Sequence, residues 1–290
     1  MRVLVTGATG YLGGALVPEL LAAGHAVRVL IRSGGRGAAG LGPVEDRTGD
    51  VVADRGLEEA CAGCEGVIHL VGVLRAPRGL THAAVHAAGT AHLVRAAALA
   101  RVRRVVYCSA LGADAHGPTP YLRAKAAAED SVRDAGLEYV IVRPSVLFGP
   151  GGPGMNFVQT LADLVRSLPI TPVLGDGQAM LQPVAAQDLA RGCARLLADP
   201  RAAGRTFDVG GPERLPYLEI LRRIAHANGR RLRPLHLPLG LVRAVLPALE
   251  QAPGFPLDRE QLAMLLASPA CDGGPFWAAT GITPQPFRGR

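Results

Sequence analysis

Lysine is nearly absent from this sequence. Of the 31 basic residues in a chain of 290, 30 are arginine, and Lys125 is the single lysine. Asparagine occurs twice, and aromatic residues make up 4%. The bias extends along the whole chain, as GC-rich coding would produce, so an arginine at a given position says little about function. The one lysine says more, because a basic position without a special requirement would have become arginine like the rest.

Long apolar runs are also absent. The most apolar late stretch, residues 235–249, is interrupted by Pro238, Arg243 and Pro247, so we predict no segment that spans a bilayer. The chain runs from its first residues directly into an apolar strand, without the apolar region and cleavage site of a signal peptide. We therefore expect a cytoplasmic protein, with peripheral membrane contact through residues 235–249 as an alternative.

Cysteine content and charge exclude further classes. Five cysteines, an odd number, favour a reducing compartment over a disulfide framework. Cys61 and Cys64 form one CxxC pair without a second pair, so the sequence predicts no metal site. The net charge of +7 would suit an anionic partner. Acidic residues are interspersed among the basic ones, however, and aromatic side chains are few, so we expect a solvated basic surface and no nucleic-acid partner.

Strand and helix patterns alternate through the first half of the chain. Nearly all-apolar strands are typical of a parallel sheet buried on both faces, and the fold class is therefore α/β. We predict a doubly wound parallel Rossmann sheet over residues 1–149 and a smaller mixed α/β substrate or partner lobe over residues 150–290, with some of its elements rejoining the main sheet. The predicted strands of the first half are 2–6, 26–32, one ending at 49–50, 66–72, 104–109 and 139–144. Its predicted helices are one from the glycine turn to Gly24, 57–61, one ending near Ala100, and 119–135. The second half is predicted to have helices near 157–167, 187–198, 216–228 and 258–267.

A glycine-rich turn joins the first strand to the first helix. Gly7, Gly10 and Gly13 form GxxGxxG there, and such a turn lets the backbone and the helix N-terminus approach a pyrophosphate. The second strand ends without the acidic residue that an NAD-specific site uses for the ribose 2′-hydroxyl, and Arg32 and Arg36 follow it instead. A guanidinium suits a 2′-phosphate, so NADP (NADPH) is predicted over NAD, although arginine is also the default basic residue of this chain.

Tyr121 and Lys125 form a YxxxK pattern on a predicted helix, and this spacing puts both side chains on one face. A phenol is a poor acid or base at neutral pH, but a neighbouring ammonium group lowers its pKa. A lone lysine placed at random would fall four residues after one of the five tyrosines only about 5 times in 290. Ser109, at the end of a strand, has two interpretations: a hydrogen-bond donor to a substrate oxygen, or a residue that terminates the strand.

The segments GATGYLGG, HLVG, YCSALGA, YxxxK and VRPSVLFGPG resemble the extended or atypical short-chain dehydrogenase/reductase superfamily, which includes the NAD-dependent epimerases and dehydratases. The resemblance continues in GDGQAMLQPVAAQDLARG and GRTFDVGGPE, so it covers most of the chain. Within the superfamily, SALGADA, the YxxxK segment and RPSVLFGPG are most similar to relatives of the NADPH-binding accessory subunit of respiratory complex I.

The resemblance implies a bound NAD(P), with Tyr121 as the acid/base, Lys125 as its modulator and ribose ligand, and Ser109 as the group that polarises the substrate oxygen. The expected cofactor-binding residues are Gly7, Thr9, Gly10, Tyr11, Leu12, Gly13, Arg32, Asp50, Val51, Leu70, Val71, Gly72, Lys125, Pro144, Ser145 and Val146. Two positions depart from the pattern. Ala110 follows Ser109 where active members have a second hydroxyl, and His86, which we expect to be a packing residue like His69, stands where an asparagine is usual.

Three hypotheses follow. The first is an NAD(P)-dependent oxidoreductase or epimerase acting on a small molecule, in which hydride moves between nicotinamide and a substrate carbon while Tyr121 moves the proton. The second is a non-catalytic, nucleotide-bound accessory or assembly protein of a respiratory complex, motivated by Ala110 and by the apolar segment 235–249. The third is a redox-sensing regulator, which needs only the nucleotide site. The substrate stays open, because the second lobe is apolar and has no recognisable motif.

Overall fold

The first strand shows how the sequence builds the sheet: Val3, Leu4 and Val5 are completely buried, because helices cover both faces of the strand they form.

The computed structural model describes residues 1–35, 37–76, 79–154, 156–250, 257–267 and 270–289. The first half contains β1 (Arg2–Thr6), α1 (Tyr11–Ala22), β2 (Ala26–Ile31), β3 (Glu45–Thr48), α2 (Leu57–Cys61), β4 (Gly66–His69), a π-helix (Ala83–Ala88) continued by α3 (Gly89–Leu99), β5 (Arg104–Cys108), α4 (Pro120–Arg133) and β6 (Glu138–Pro144). The second half contains β7 (Leu147–Phe148), α5 (Phe157–Ser167), β8 (Thr171–Leu174), β9 (Met180–Leu181), β10 (Val184–Ala185), α6 (Ala186–Ala198), a 3₁₀ turn (Pro200–Ala202), β11 (Arg205–Val209), β12 (Leu215–Pro216), α7 (Tyr217–Ala227), β13 (Pro234–Leu237), α8 (Leu239–Leu249), α9 (Arg259–Ala267) and α10 (Gly274–Thr280).

The central sheet is parallel, and its strand order is β3-β2-β1-β4-β5-β6-β11. The order from β3 to β6 is that of doubly wound dinucleotide-binding sheets, in which ligands bind beyond the carboxyl ends of the strands. The predicted α/β fold class is confirmed. β11 comes from the second half and pairs with β6, with Arg205 opposite Val140, so one element of residues 150–290 does rejoin the main sheet. The division at residue 149 stays a prediction.

Helices cover both faces of this sheet. On one face, α1 and α6 pack with Phe276 of α10 over the apolar side chains of the central strands. On the other, α2 and α3 pack on β1, β4 and β5, and Cys61 and Cys64 are buried in that core. His69 is fully buried between Thr6 and Thr90, each of which lies within 3.0 Å of one of its ring nitrogens. His69 is therefore a satisfied core residue, as predicted.

The remaining second-half elements form a lobe of their own beside the carboxyl edge of the sheet. The pair β8/β13 and the helices α5 and α7 surround a separate apolar core. Phe287 anchors the C-terminal segment in this core by edge-on contact with Phe148, and the Trp277 indole N–H donates to the Gly210 carbonyl at 2.9 Å. Both contacts hold the C-terminal segment against the rest of the chain.

The segments 235–249 and 66–72 differ from the sequence-based expectation. The segment 235–249 contains a complete helix, α8, although three residues interrupt its apolar pattern. Pro238 is the N-cap of this helix and Pro247 lies in its last turn, and a proline at a helix start removes no needed hydrogen bond. The strand predicted over 66–72 ends at His69. Among the described helices, none has the length and apolar character that crossing a bilayer requires.

Candidate functional site

A cavity of about 920 Å³ lies where the two halves meet. Its floor consists of segments that follow four neighbouring strands: the glycine turn after β1, the segment from Leu70 after β4, the segment from Ser109 after β5, and the segment from Pro144 at the end of β6. The opposite wall is made of α5, β8, α8 and α9. The carboxyl ends of parallel strands meet at one edge of a sheet, which is why residues so far apart in sequence surround one space.

The glycine turn has the close contacts that only glycine allows. Gly7 has a φ of +75°, and a Cβ there would lie 2.8 Å from the Leu70 carbonyl carbon. A Cβ at Gly13 would lie 2.3 Å from the Ala8 carbonyl oxygen. Gly10 caps α1 without a side-chain hydrogen bond, and the first turn of the helix has no acidic residue. The N–H groups and positive dipole of α1 are thus directed at the cavity, and they suit the pyrophosphate of a dinucleotide.

Tyr11 joins this turn to the loop of residues 149–154. Its phenol donates to the Gly149 carbonyl at 2.6 Å, and the Gly152 N–H donates to the Tyr11 carbonyl at 2.8 Å. A Cβ at Gly151 would meet the Tyr11 ring at 2.5 Å. The glycine-proline loop therefore packs directly on the start of α1 and fixes the position of the turn.

Tyr121 and Lys125 lie on the cavity-facing side of α4, as the YxxxK spacing predicts. Thr119 caps this helix by accepting from the Leu122 N–H at 3.2 Å, and Pro120 occupies its first turn, a position that suits proline. The Lys125 ammonium donates to the Cys108 carbonyl at 2.8 Å and lies 4.9 Å from the centre of the Tyr107 ring. Burial lowers the pKa of Lys125 from 10.5 to about 8.

The phenol of Tyr121 does not have the lowered pKa that the sequence predicts. Burial raises the pKa of Tyr121 well above its usual value of 10, because the phenolate would be poorly solvated in this site. The ammonium of Lys125 is directed at the Cys108 carbonyl and does not offset this cost. The expected lowering is therefore wrong, and the phenol is protonated at neutral pH.

Ser109 lines the cavity, but its hydroxyl donates to Glu129 Oε1 at 2.6 Å. Arg143 binds the same carboxylate through two hydrogen bonds of 2.7 and 2.6 Å, and Arg133 adds a third. Burial raises the pKa of Glu129, but the hydrogen bonds from Arg143 and Ser109 outweigh it and lower that pKa overall. Since a hydroxyl has a single hydrogen, Ser109 in this arrangement has none left to give to a substrate oxygen.

Two histidines pack against Tyr121. The rings of His86 and His82 lie edge-on to its ring, with centroids 5.2 and 5.6 Å away. His86 belongs to the π-helix before α3, and such helical irregularities are frequent at functional sites. Its Nε2 lies 3.1 Å from the Val73 carbonyl oxygen. Burial and the charge of Lys125 lower the pKa of His86 to about 3, so this imidazole is neutral.

The structure brings most of the predicted cofactor residues to one cavity and leaves others aside. Those that line it are Gly7, Gly10, Tyr11, Leu12, Gly13, Leu70, Gly72, Lys125, Pro144, Ser145 and Val146, together with Tyr121 and Ser109. Those outside its lining are Thr9, Arg32, Asp50, Val51 and Val71. Arg32 is exposed directly after β2, and the Asp50 carboxylate accepts from the Val52 N–H at 2.8 Å. Arg36 lies outside the described residues.

Glu129 is a site residue that the sequence-based reasoning missed, and so is its partner Arg143. The spacing of the sequence could have identified Glu129. It follows Lys125 by the same four-residue interval that separates Lys125 from Tyr121, so all three side chains share one face of the helix. Arg143 gave no such signal in a chain that uses arginine almost everywhere. Among the described residues, no group of three or more His, Cys, Asp or Glu side chains is placed to hold a metal ion.

Comparison with known proteins agrees with this geometry. A model of the NAD dependent epimerase/dehydratase family matches residues 3–210. Ceramide reductase from Caulobacter vibrioides (strain NA1000 / CB15N) is 33% identical over 253 residues, which are 81% of this chain and 73% of that protein. The mitochondrial NADH dehydrogenase (ubiquinone) 1 alpha subcomplex subunit 9 from Arabidopsis thaliana is 31% identical over 220 residues, which are 72% of this chain and 53% of the plant subunit.

A solved structure extends the similarity in fold to nearly the whole chain. The dTDP-glucose 4,6-dehydratase DesIV from Streptomyces venezuelae, crystallised as a double mutant with NAD and DAU bound, superposes with a TM-score of 0.76 at 23% identity. The superposition covers 98% of this chain and 92% of that one.

Proposed function

The chain belongs to the NAD-dependent epimerase/dehydratase family, and from that premise we propose that it is an NAD(P)-dependent oxidoreductase that reduces a carbonyl group to an alcohol. The observation that carries this proposal is that Tyr121 and Lys125 lie on the wall of the same cavity that begins at the glycine turn. The turn suits a pyrophosphate because the first turn of α1 directs its N–H groups at the cavity and has no acidic residue, and Gly7 and Gly13 let the backbone close this turn, since a Cβ at either position would meet backbone atoms. The cofactor, when bound, supplies a hydride to a carbon beside Tyr121.

The protonation states of the site favour the reductive direction. The raised pKa of Tyr121 keeps its phenol protonated, which is the form that donates a proton to a carbonyl oxygen as that oxygen becomes a hydroxyl. Lys125, with a pKa of about 8, carries a positive charge at neutral pH and would donate to the ribose hydroxyls of the nicotinamide nucleotide. The neutral His86 adds no competing charge.

The test is the substitution Tyr121→Phe, which removes the proton donor and keeps the ring. We expect kcat for NADPH-dependent reduction of a carbonyl compound to fall at least about 100-fold, while the Kd for NADPH, measured by fluorescence titration, stays unchanged. Tyr139→Phe is the matched control, because Tyr139 lies in β6 and packs with Tyr107 away from the cavity lining. Equal activity of Tyr121→Phe and the parent protein would remove the assignment.

We also propose that NADPH binds more tightly than NADH. The support is that Arg32, with no acidic residue beside it, is exposed where the 2′-substituent of the adenosine ribose lies in folds of this kind. A hydrogen bond to a charged group contributes about 1.5–3 kcal/mol, so Arg32→Ala should weaken NADPH binding roughly 10-fold to 100-fold and leave NADH binding unchanged. Equal Kd values of the parent protein for the two nucleotides would refute this preference.

A second candidate function is that of a nucleotide-bound accessory protein of a respiratory complex. One observation favours it: Ser109 gives its only hydrogen to Glu129, and Ala110 offers no second hydroxyl. A relative from a plant respiratory complex, 31% identical, is consistent with it. Expression in a host with a respiratory chain, followed by fractionation, distinguishes the two functions. An accessory protein would co-fractionate with a membrane complex and hold NADPH without oxidising it in the presence of any carbonyl compound.

A further inference from the structure

The lining of the cavity changes character from one end to the other. The end near the glycine turn has the polar groups of Ser109, Tyr121 and Lys125. The other end, which we call the apolar wall, is formed by α5, β8, α8 and α9 and is lined by side chains such as Leu161, Leu164, Leu174, Val242, Leu246 and Met264. Among the described lining residues of this wall none is charged, and its few polar groups include those of Thr160, Ser167 and Gln261.

This wall is unsuited to a strongly polar substrate. A phosphate or sugar buried there would lose its hydrogen bonds to water without charged partners to replace them, and that loss costs several kcal/mol. Among the described residues, the cationic side chains that line the cavity are Arg75 and Lys125. The first donates to the Asp258 carboxylate at 2.8 Å and the second to the Cys108 carbonyl. An aliphatic or fused-ring body, by contrast, gains free energy from each methylene that leaves water.

The apolar wall reaches the protein surface. Leu168 and Val245 both line the cavity, yet 38% and 42% of their surfaces are exposed. Three more exposed side chains adjoin them: Ile170 directly before β8, Leu235 in β13, which pairs with β8, and Leu241 one turn before Val245 in α8. We call these five residues the rim. Of the seven large exposed hydrophobic residues among the described residues, five belong to the rim, so the exposed apolar surface is concentrated there.

Basic residues accompany the rim. Arg231 and Arg233 lie just before β13, whose residue Leu235 belongs to the rim, and both are exposed. An apolar rim flanked by arginines has the two features that hold a protein on an anionic bilayer, since the apolar side chains insert at the interface and the guanidinium groups contact lipid headgroups. A docking face for another soluble protein would not need the rim to open into an apolar cavity.

We propose that the substrate is an amphipathic lipid with a carbonyl group, which enters from an anionic bilayer through the rim and places its apolar body along the apolar wall. This inference rests on the proposed function, because it assigns the carbonyl to the position beside Tyr121. In the step itself, the carbonyl carbon gains a hydride from NAD(P)H and the oxygen gains the proton of Tyr121. The C=O bond becomes a C–OH bond and the nicotinamide is left oxidised.

The first experiment tests the apolar wall with and without turnover. Straight-chain aldehydes of increasing length should show a kcat/KM that rises about fourfold with each added methylene until the wall is covered. Cis-parinaric acid, a fluorescent long-chain probe, should bind to the parent protein, and Met264→Arg should weaken its binding at least tenfold without changing the Kd for NADPH. A kcat/KM that is independent of length, turnover of UDP-glucose, or equal probe binding by both proteins would overturn the lipid assignment.

The probe measurement separates this inference from the proposed function. If no aldehyde is reduced but cis-parinaric acid binds and Met264→Arg weakens it, the lipid site stands and the oxidoreductase proposal fails. If short aldehydes are reduced as well as long ones and the probe does not bind, the oxidoreductase proposal stands and the lipid site fails.

The second experiment tests the rim. The parent protein should float with vesicles of phosphatidylcholine and phosphatidylglycerol, and less with vesicles of phosphatidylcholine alone. The double substitution Leu241→Asp and Val245→Asp should abolish flotation, whereas Leu99→Asp, at an exposed leucine of α3 outside the cavity lining, should not. Absence of flotation by the parent protein would overturn the proposed entry from a bilayer. A change of oligomeric state in the rim variant would do the same, since it would assign the rim to a second copy of the chain.

Discussion

The buried carboxylate of Glu129 allows the most direct test of how α4 is held in place. The side chain is 1% exposed and binds two guanidinium groups, which are 32% exposed in Arg133 and 26% exposed in Arg143. The substitution Glu129→Gln keeps the shape, removes the charge and directs an amide N–H₂ at a cation. Removing one partner of a buried ion pair costs about 3–5 kcal/mol. Because water reaches both arginines, we expect the lower end, a loss of about 3 kcal/mol in the free energy of unfolding.

Urea denaturation measures this loss. With an m-value of about 3 kcal/mol per molar urea, the midpoint of the Glu129→Gln variant should fall by about 1 M. The control is Asp130→Asn, which makes the same charge change one residue later. Its side chain is 66% exposed and paired only with Arg133 in the described ion pairs, so we expect a change below about 0.5 kcal/mol. Equal losses in the two variants would refute the role assigned to the buried network.

Glu129 also makes the free energy of unfolding depend on pH. Because the pKa of Glu129 is lower in the folded protein than its ordinary value of 4.5, the unfolded chain binds its proton more readily. The stabilisation is therefore complete above about pH 4.5 and is lost as the pH falls through the folded pKa. The difference in unfolding free energy between the parent protein and Glu129→Gln should shrink over that interval.

Two further predictions concern the dinucleotide site. Gly13→Ala should abolish NADPH binding in a fluorescence titration, since the added Cβ would lie 2.3 Å from the Ala8 carbonyl oxygen; Gly240→Ala, where a Cβ meets nothing within 4 Å, should leave it intact. For Lys125, whose pKa falls from 10.5 to about 8 on folding, the unfolded chain holds more protons between these values. The free energy of unfolding of the parent protein, relative to that of Lys125→Met, should therefore rise with pH from about 8 to about 10.5, and a constant difference would contradict the shift.

Local patterns were enough to predict the sheet and the glycine turn. Val3, Leu4 and Val5 form an apolar run in β1 because both faces of the strand are covered, and the turn after it has glycine at positions where a Cβ has no room. The helix α8 was missed because its prolines were taken as interruptions, whereas Pro238 lies at its start, where proline is tolerated. The π-helix was missed because nothing in its alanine-rich sequence, AAVHAA, distinguishes it from an ordinary helix.

The network around Ser109 could not be predicted from spacing alone. Ser109 and Glu129 are 20 residues apart, and Arg143 is 14 residues further along. They meet because β5 and β6 are neighbours in the sheet and α4, which connects them, packs back onto it. Periodicity within α4 places Glu129 on the face of Tyr121 and Lys125, but only the crossover places that face over the end of β5. Periodicity in a sequence predicts which residues share a helix face. It does not predict which other element that face packs against.

Burial, rather than the lysine alone, sets the protonation of this site. The sequence predicts that Lys125 lowers the pKa of Tyr121, because an ammonium group beside a phenolate stabilises the charged form of the phenol. In the folded protein the same lack of water raises the pKa of the phenol and lowers those of Lys125 and His86, so each group is shifted toward its neutral form. A site of this kind keeps a proton on Tyr121 until a substrate oxygen becomes basic enough to take it. Carbonyl reduction meets that condition, because the oxygen acquires negative charge as hydride reaches the carbon, and an apolar substrate that excludes water from the wall would strengthen the effect.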